Sequence, residues 1–414
     1  ALLGKTPFGG EIFYLYSDKP YEISAVRIFV SMQKTIKGII REKLNTTEDF
    51  IDYVNRHPEV SKPYVKEILR YHHGDVGEME RYGFYLKSVS RLLTFIGWIP
   101  IGANRGIKGV GTELSLRYAE QKGFINIPDK NLSNACEESI DLYKRLRESK
   151  IVKEDARFIL PLAAKTEKIM HIQIGRDLAK WANYLRNEPF EEAKCIGETL
   201  LKWNEDENGF TLPAEELPAA KMPLLKKDED PQRKILKEFL ADKPRRIHYN
   251  PYTQSLVWNS ERSIASFHQD VRNRQVSFWW PSWESAVNDL GFYMPPSLLR
   301  AFRREVQEHY DHLINLAREF WRSSNYQLAV YTLPLGKVIS VYSALYGNWN
   351  IYETIRLRAC MRAQDEIRNQ YKLIAKTIGE DFPMKLGARC ETEGVCFEPG
   401  REKCPLYRRY ILKE

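Results

Sequence analysis

Two short segments carry arginines beside other polar side chains, at spacings that could bind an anion. In the first, Glu113, Ser115 and Arg117 occupy alternate positions, so they would share one face if the segment is extended. A carboxylate, a hydroxyl and a guanidinium on one face could contact a phosphorylated sugar and its base, because a guanidinium can donate two parallel hydrogen bonds to phosphate oxygens. An exposed strand edge with three polar side chains is the commoner meaning of such a pattern.

The second segment, residues 268–277, contains Arg272 and Arg274 beside Gln269. Two guanidinium groups and an amide could bind an anionic ring or a phosphate, or they could form surface ion pairs. Arg105 lies in a glycine-containing loop of the first half, where the backbone could approach a phosphate or a flat aromatic ring closely. A plain turn is the favoured interpretation when the loop is taken by itself.

The two halves of the chain repeat these features in the same order. GTELSLRYAEQKGFINIPDK and EDARFILPLAAKTE in the first half correspond to WWPSWESAVNDLGFYMPPS and QLAVYTLPLGKVIS in the second. Ser115 and Pro128 are as far apart as Ser282 and Pro295, and a Leu-Pro pair follows in both halves. Two matches in one order predict a duplicated domain.

A stretch of alternating proline and charged residues divides the chain near its middle. Its composition is typical of a semi-extended linker. We therefore predict one repeat over residues 1–208, a linker over 209–234 and a second repeat over 235–414, which ends in a cysteine-containing tail.

Apolar periodicity predicts a helix-rich α+β fold. Spacings of three and four residues predict helices at 131–149, 296–322 and 352–378. Short strands are expected at 82–88 and 254–258. Each repeat should contain a small, mainly antiparallel sheet packed by long helices, with the two repeats arranged as a pseudo-dimer.

The composition argues against a membrane protein and gives weak support for nucleic-acid binding. The net charge of +8 is spread over a chain that is 29% charged, which favours a solvated, ion-paired surface. No run of 18 uncharged apolar residues could span a bilayer, and the N-terminal residues lack the apolar run of a secretory signal, so we expect a cytoplasmic protein. Trp279, Trp280 and Trp283 could stack on bases, but a buried aromatic core is the favoured interpretation.

The cysteines do not follow a zinc pattern. Cys390, Cys396 and Cys404 have the spacings C-x5-C and C-x7-C, whereas structural zinc usually needs C-x2-4-C pairs and four donors. A buried or redox-linked trio is favoured over a metal site, so no metal is predicted. Cys360 and the two other isolated cysteines are expected to pack in the interior.

Both halves resemble flavin-dependent thymidylate synthases of the ThyX type. These enzymes carry a motif R-H-R-x-x-S-x-x-E-x-S-x-R-Y, then A-R-x-x-L-P, then a helix with L-R-x-x-x-x-A-Q-x-E-I. The matching residues are Arg105, Glu113, Ser115, Arg117, Tyr118 and Arg157 in the first half, and Arg272, Arg274, Ser277, Ser282 and Arg358 in the second.

Each half departs from the family motifs where the other keeps them. In the first half, the position of the upstream glutamine falls at Gly102, and the late helix lacks a clean counterpart of Arg358. In the second half, Trp280 replaces the motif's glutamate, Glu284 its final arginine, and Val330 the arginine of the Leu-Pro element. In the family the nucleotide lies between subunits, so the resemblance implies one composite site per chain and the loss of its symmetric twin. Its residues would be Glu113, Ser115, Arg117 and Arg157 from the first repeat and Gln269, Arg272 and Arg358 from the second.

The resemblance also implies the chemistry. Reduced FAD would deliver a hydride and methylenetetrahydrofolate a one-carbon unit to dUMP, with NADPH as the reductant. Arg358, Ser115 and Arg117 would be the catalytic residues: Arg117, with Arg157, would hold phosphate and pyrimidine, Arg358 would stabilise charge on the uracil carbonyl, and Ser115 would not be a covalent nucleophile. The residues facing the flavin would be Arg105, Arg272, Asn273, Arg274 and Ser277.

The flavin side of the motifs is the most altered part. The family histidines are replaced by Met79 and by Gly106 or Asn273. A paralogue with another pyrimidine nucleotide as substrate, or a non-catalytic protein that binds flavin or nucleotide, therefore stays open. We expect a homodimer of such tandem chains, which would mimic the tetramer of single-repeat chains.

Overall fold

The chain forms two compact units whose boundaries do not follow the two repeats. The first unit comprises residues 1–101, 105–222 and 294–335, and the second comprises 102–104, 223–293 and 336–414. The computed structural model describes residues 2–15, 25–26, 28–30, 44–61, 63–64, 82–101, 107, 109–172, 175–208, 231–289, 291–398 and 400–413. A segment of the second repeat, 294–335, is thus part of the first unit.

The first unit contains a five-stranded antiparallel sheet in the order β1-β2-β3-β5-β4. Along the central strand, Phe84 and Tyr85 point to opposite faces and both are buried, so the sheet is covered on both sides there. One face packs on an aromatic cluster that includes Phe29 and Phe50. The strands are β1 Leu2–Lys5, β2 Glu11–Leu15, β3 Tyr82–Ser90, β4 Gly109–Glu113 and β5 Lys165–Ile172.

The second unit contains a four-stranded antiparallel sheet in the order β6-β7-β9-β8. Its strands are β6 Ile247–Asn250, β7 Ser255–Ser263, β8 Ser277–Trp279 and β9 Val338–Tyr346. This order repeats β2-β3-β5-β4 of the first sheet, strand for strand. The predicted fold, with a small antiparallel sheet in each repeat, is confirmed.

Sixteen α-helices have described bounds. In chain order they are α1 Thr47–Arg56, α2 Arg91–Trp98, α3 Lys130–Glu148, α4 Lys153–Ala156, α5 Gly175–Arg186, α6 Glu191–Asn208, α7 Pro231–Leu240, α8 Ile264–Asp270, α9 Trp283–Asn288, α10 Pro296–Ala301, α11 Arg303–Arg322, α12 Tyr326–Thr332, α13 Asn348–Arg358, α14 Asp365–Ile378, α15 Arg389–Thr392 and α16 Pro405–Tyr407. Helices α10 to α12 belong to the first unit. None of the helices in the described part of the chain is long and apolar enough to cross a membrane.

Two of the predicted helices are each divided in the structure. The helix predicted at 296–322 breaks at Phe302, whose φ of −132° is not helical. The helix predicted at 352–378 breaks between α13 and α14, where the Arg368 guanidinium donates to the Met361 and Ala363 carbonyl oxygens at 3.3 Å. A side chain thus satisfies carbonyls that a continuous helix would bond internally. Most of the predicted linker lies outside the described residues, and its last residues begin α7 at Pro231.

The repeats share the same capping interaction at the start of the helix that follows their central strand. Ser90 caps α2, and the Glu192 carboxylate accepts from its N–H at 3.0 Å and from its hydroxyl at 2.5 Å. Ser263 caps α8, and the Glu366 carboxylate accepts from its N–H and its hydroxyl, both at 2.6 Å. The pairs are equivalent, so they fix how α6 aligns with α14.

This alignment identifies the counterpart of Arg358 that the sequence left unplaced. Tyr184 stands as many residues before Glu192 as Arg358 stands before Glu366. Tyr184 is buried in the first unit. The first repeat therefore has a packed aromatic ring where the second has a guanidinium.

Backbone segments of the two repeats meet by reciprocal hydrogen bonds inside the first unit. The Leu162 N–H donates to the Leu333 carbonyl at 2.9 Å, and the Leu335 N–H donates to the Leu160 carbonyl at 2.8 Å. Leu160 and Leu333 precede the equivalent prolines, and Leu162 and Leu335 follow them. Exchanging the repeats turns one bond into the other, which is the property of an isologous interface.

Helices α3 and α11 meet in the same reciprocal way. Arg145 pairs with Glu305, and His312 lies 3.5 Å from Glu138. Counted from the prolines that precede the two helices, Glu138 corresponds to Glu305 and Arg145 to His312. These two segments therefore contact each other, inside the first unit, in the reciprocal pattern of an isologous interface.

Candidate functional site

The segment predicted to be extended is a strand only as far as Glu113. The N–H groups of Tyr118 and Ala119 both donate to the Ser115 carbonyl, at 3.0 and 2.9 Å, so the chain turns there. The Ser115 hydroxyl oxygen accepts from the Arg117 N–H at 3.4 Å, a local contact that favours a turn over a strand. The expectation that Glu113, Ser115 and Arg117 share one strand face is wrong.

Glu113 is completely buried and forms an ion pair. Its carboxylate lies 2.5 Å from Nη1 of Arg91, whose Nη2 donates to the Leu114 carbonyl at 2.6 Å. Such a pair holds the end of β4 to the start of α2, and losing one partner would leave a buried charge. A contact of Glu113 with a nucleotide stays a prediction.

Glu154 on the short helix α4 positions two of the predicted arginines. Nε of Arg117 lies 2.6 Å from the Glu154 carboxylate, and Nε of Arg157 donates to the Glu154 backbone carbonyl at 3.2 Å. Lys153 donates to the Tyr118 carbonyl at 2.9 Å and so fixes the turn beside α4. We call Arg117, Glu154 and Arg157 the Glu154 cluster. Glu154 was missed by sequence reasoning because its role depends on this turn.

Asp270, at the end of α8, is the centre of a second cluster. Its Oδ2 accepts from Arg262 Nη1 at 2.7 Å and from the Tyr371 hydroxyl at 2.9 Å, and its Oδ1 lies 3.3 Å from Arg358 Nε. Asp270 is fully buried and Arg262 is 1% exposed, whereas the Arg358 side chain keeps 22% of its surface. Burial raises the pKa of Tyr371 well above its ordinary value, so this hydroxyl stays protonated.

We call Arg262, Asp270, Arg358 and Tyr371 the Asp270 cluster. One carboxylate between two guanidinium groups leaves a formal excess of one positive charge. Arg358 is the exposed member, so an anion can approach the excess charge through it. Sequence reasoning found Arg358 and missed the other three members, which come from three different elements.

The loop after α8 holds most of the remaining predicted residues. Asn273 donates from its N–H to the Asp270 carbonyl at 2.8 Å and from Nδ2 to the Thr354 hydroxyl at 3.2 Å. Thr354 lies one helical turn before Arg358 on α13, so this loop is tied to the helix that carries Arg358. Arg272 and Arg274 are half-buried in this loop, and Ser277 begins β8.

Gln269 immediately precedes the buried carboxylate. Its Oε1 is buried, and it has no hydrogen-bond partner among the described residues. Counted along α2 and α8 from their serine caps, its counterpart in the first repeat is Ile96 and not the predicted Gly102. Gly102, Arg105, Gly106 and Met79 lie outside the described residues.

The tryptophans near β8 contribute to the core of the second unit. Trp283 is buried, and the Trp280 ring packs edge-on against Phe267 with centroids 5.5 Å apart. Trp279 donates from its indole N–H to Gln232 on α7 at 2.7 Å. These contacts support the packing interpretation of the cluster.

Comparison with known proteins gives two matches to one family and one structural likeness. The family model described as thymidylate synthase complementing protein matches residues 23–187 and 218–384. No curated protein matches the chain. Among solved structures, a UMP/dUMP methylase, PolB, from Streptomyces cacaoi bound with 5-Br dUMP is 15% identical, with a TM-score of 0.27, over 48% of this chain and 90% of that chain. The two family matches confirm the tandem duplication.

Proposed function

Because the chain belongs to the thymidylate synthase complementing protein family and contains two copies of its domain, we propose that it methylates dUMP to dTMP. Methylenetetrahydrofolate is the one-carbon donor and NADPH the reductant. FAD, when bound, supplies the hydride chemistry, and the protein contributes binding, orientation and electrostatics.

The observation that carries this proposal is an unsatisfied acceptor beside excess positive charge. Gln269 Oε1 is buried without a partner in the described part of the chain, and the next residue anchors Arg358. A buried polar atom without a hydrogen bond costs about 1–3 kcal/mol, so a bound donor there is favoured. A uracil ring offers an N–H donor flanked by carbonyl oxygens, which complements Gln269 and a guanidinium.

The same surroundings fit a flavin. Its ring also combines an N–H donor with carbonyl acceptors, and its phosphates are anionic. Arg272, Asn273, Arg274 and Ser277 would hold it, and Arg105 is the corresponding residue of the first repeat. Hydrogen-bond donors on Asn273 and cationic groups on the arginines suit these acceptors.

The first repeat is proposed to complete nucleotide binding through the Glu154 cluster. Arg117 and Arg157 bind the phosphate and the pyrimidine, and Ser115 contacts the nucleotide without forming a covalent bond. Arg358 stabilises the negative charge that develops on the uracil carbonyl. Arg117, Ser115 and Arg358 are thus the proposed catalytic residues, and one chain supplies both sets.

A second candidate is nucleotide binding without turnover. Glu113 favours it, because this predicted substrate ligand is already paired with Arg91 in the interior. The two functions differ in the expected flavin content and in the formation of dTMP.

The test is a comparison of matched arginine variants. Purified protein is assayed for bound FAD and for dTMP formed from dUMP, methylenetetrahydrofolate and NADPH. Arg358→Ala should abolish turnover, whereas Arg304→Ala, which removes the same charge from a side chain 93% exposed, should leave it unchanged. Protein that binds dUMP but neither binds FAD nor forms dTMP would establish the non-catalytic alternative.

Mixing variants tests whether one chain supplies both arginine sets. Arg117→Ala and Arg358→Ala chains are combined after each has been shown to be inactive. With both sets required in one chain, the mixture stays inactive. Recovered turnover would mean that the sets come from different chains.

A further inference from the structure

Four cysteines from two parts of the chain are close together in the second unit. Cys360 follows α13, and Cys390, Cys396 and Cys404 belong to the C-terminal tail. The Cys390 thiol interacts electrostatically with the other three thiols, and the Cys360 thiol does so with Cys396 and Cys404. All four are free cysteines. Cys360 is therefore the fourth sulfur donor that the spacing of the tail cysteines lacks.

Left-handed turns bring the tail cysteines together. Gly394, with φ of 69°, lies between Cys390 and Cys396, and Gly400, with φ of 66°, lies between Cys396 and Cys404. Glycine adopts this conformation without the steric cost of a side chain. The second turn is also fixed by Arg401, whose guanidinium donates to the Cys396 carbonyl at 2.8 Å and whose carbonyl accepts from the Cys404 N–H at 2.9 Å.

The tail is held against the helix that ends beside Cys360. The Glu393 carboxylate accepts from the Tyr352 hydroxyl at 2.9 Å and pairs with Arg356. Tyr352 and Arg356 both lie on α13. These contacts place the tail next to the end of the helix, where Arg358 and then Cys360 follow.

The arrangement fits a cluster better than a single ion. Among the described residues, no group of three or more His, Cys, Asp or Glu side chains is arranged to hold a metal ion. One zinc ion would draw four sulfurs to within about 3.8 Å of one another, given Zn–S bonds of about 2.3 Å. An iron–sulfur cluster binds its cysteines at more than one iron, so the sulfurs stay further apart. Cys404 is followed by Pro405, as is the last cysteine of a ferredoxin-type run.

We propose that Cys360, Cys390, Cys396 and Cys404 bind an iron–sulfur cluster that fastens the C-terminal tail to the end of α13. The cluster has a structural role in this proposal: it keeps residues 389–404 against the helix that carries Arg358. The proposal does not depend on the methylation of dUMP, because its donors and its readout are separate from the nucleotide site.

The test measures iron and sulfide in the full-length chain. Protein purified without oxygen is reconstituted with ferrous iron and sulfide, desalted, and assayed for iron and acid-labile sulfide. Wild type should hold about two or about four irons per chain with an equal amount of sulfide. Cys390→Ser and Cys404→Ser should lose both, whereas Cys195→Ser in the first unit should keep both. Electron paramagnetic resonance of the reduced protein distinguishes the cluster from a flavin radical.

A second measurement guards against variants that misfold. Limited proteolysis compares reconstituted and cluster-free wild type, and the cluster should protect residues 389–404 from cleavage. Wild type that takes up no iron and sulfide overturns the proposal. So does iron content that is equal in wild type and Cys390→Ser, or one zinc per chain without sulfide.

Discussion

Asp270→Asn tests whether one buried carboxylate both stabilises the second unit and orients Arg358. The substitution keeps the size of the side chain and removes its charge. Arg262, 1% exposed and 2.7 Å from this carboxylate, is left as a buried cation without its counter-charge. Removing one partner of a buried ion pair costs about 3–5 kcal/mol, so we expect the free energy of unfolding to fall by about 3 kcal/mol, since the amide oxygen can still accept hydrogen bonds.

The same substitution should weaken dUMP binding. Arg358 loses the carboxylate 3.3 Å from its Nε, so its guanidinium is no longer held in one orientation. A hydrogen bond from a charged guanidinium to the nucleotide contributes about 1.5–3 kcal/mol, and this contribution is reduced when Arg358 is no longer oriented. We expect the Kd for dUMP to rise by roughly tenfold to a hundredfold.

A double variant separates the two effects. Asp270→Asn combined with Arg262→Met removes both buried charges, and replacing a buried pair by apolar groups is often neutral for stability. Urea unfolding should then show recovered stability, while isothermal titration should still show weak dUMP binding. If affinity returns together with stability, Asp270 acts on binding only through folding, and the orienting role assigned to it is refuted.

Three further variants test other parts of the structure. Glu154→Gln should raise the Kd for dUMP by about tenfold, because Arg117 loses its charged partner at 2.6 Å. Glu284→Gln, at the position that the proposal assigns to the lost twin site, should leave the Kd unchanged in the same titration. Glu192→Gln should change the pH dependence of unfolding. Burial raises the pKa of the Glu192 carboxyl to about 7 in the folded protein, from an unfolded value near 4.5. The stabilising effect of this group is therefore complete below pH 4.5 and is lost as the pH rises through 7. Urea midpoints at pH 5 and pH 8 should differ by less in Glu192→Gln than in wild type; an equal difference in both would exclude Glu192 as the source. The double variant Arg91→Met, Glu113→Gln removes both charges of the buried ion pair. If Glu113 serves only that pair, the Kd for dUMP should be unchanged. A large rise of the Kd in titration would make Glu113 a substrate ligand.

Local patterns in the sequence predicted most of the elements but not their ends. The helix predicted at 131–149 is α3, because its apolar residues recur at helical spacing and Asp129 caps its first turn. The helix predicted at 352–378 is interrupted, and at the break Arg368 donates to backbone carbonyls, a contact that periodicity does not report. Propensity describes neighbours in sequence, whereas these carbonyls are satisfied by a side chain from the next helix.

The clusters were harder to predict than the arginines within them. Arg117, Arg157 and Arg358 could be found because each belongs to a motif. Asp270 has no motif, and its importance appears only when the fold brings three other side chains to it from separate elements. Cys360 is similar, since it is isolated in sequence and near the tail thiols in space.

The duplicated fold explains how one repeat can lose a functional group without losing its structure. Glu192 and Glu366 make the same contacts with Ser90 and Ser263. Both late helices are therefore anchored by hydrogen bonds that do not involve Arg358 or its counterpart Tyr184. At that position the second repeat exposes part of Arg358, while the first buries a tyrosine ring, which adds apolar packing and removes a charge. In a dimer of identical subunits such a replacement would remove both sites at once. In a tandem chain it would remove one of two equivalent sites, and the site proposed above would keep the arginine of the other repeat.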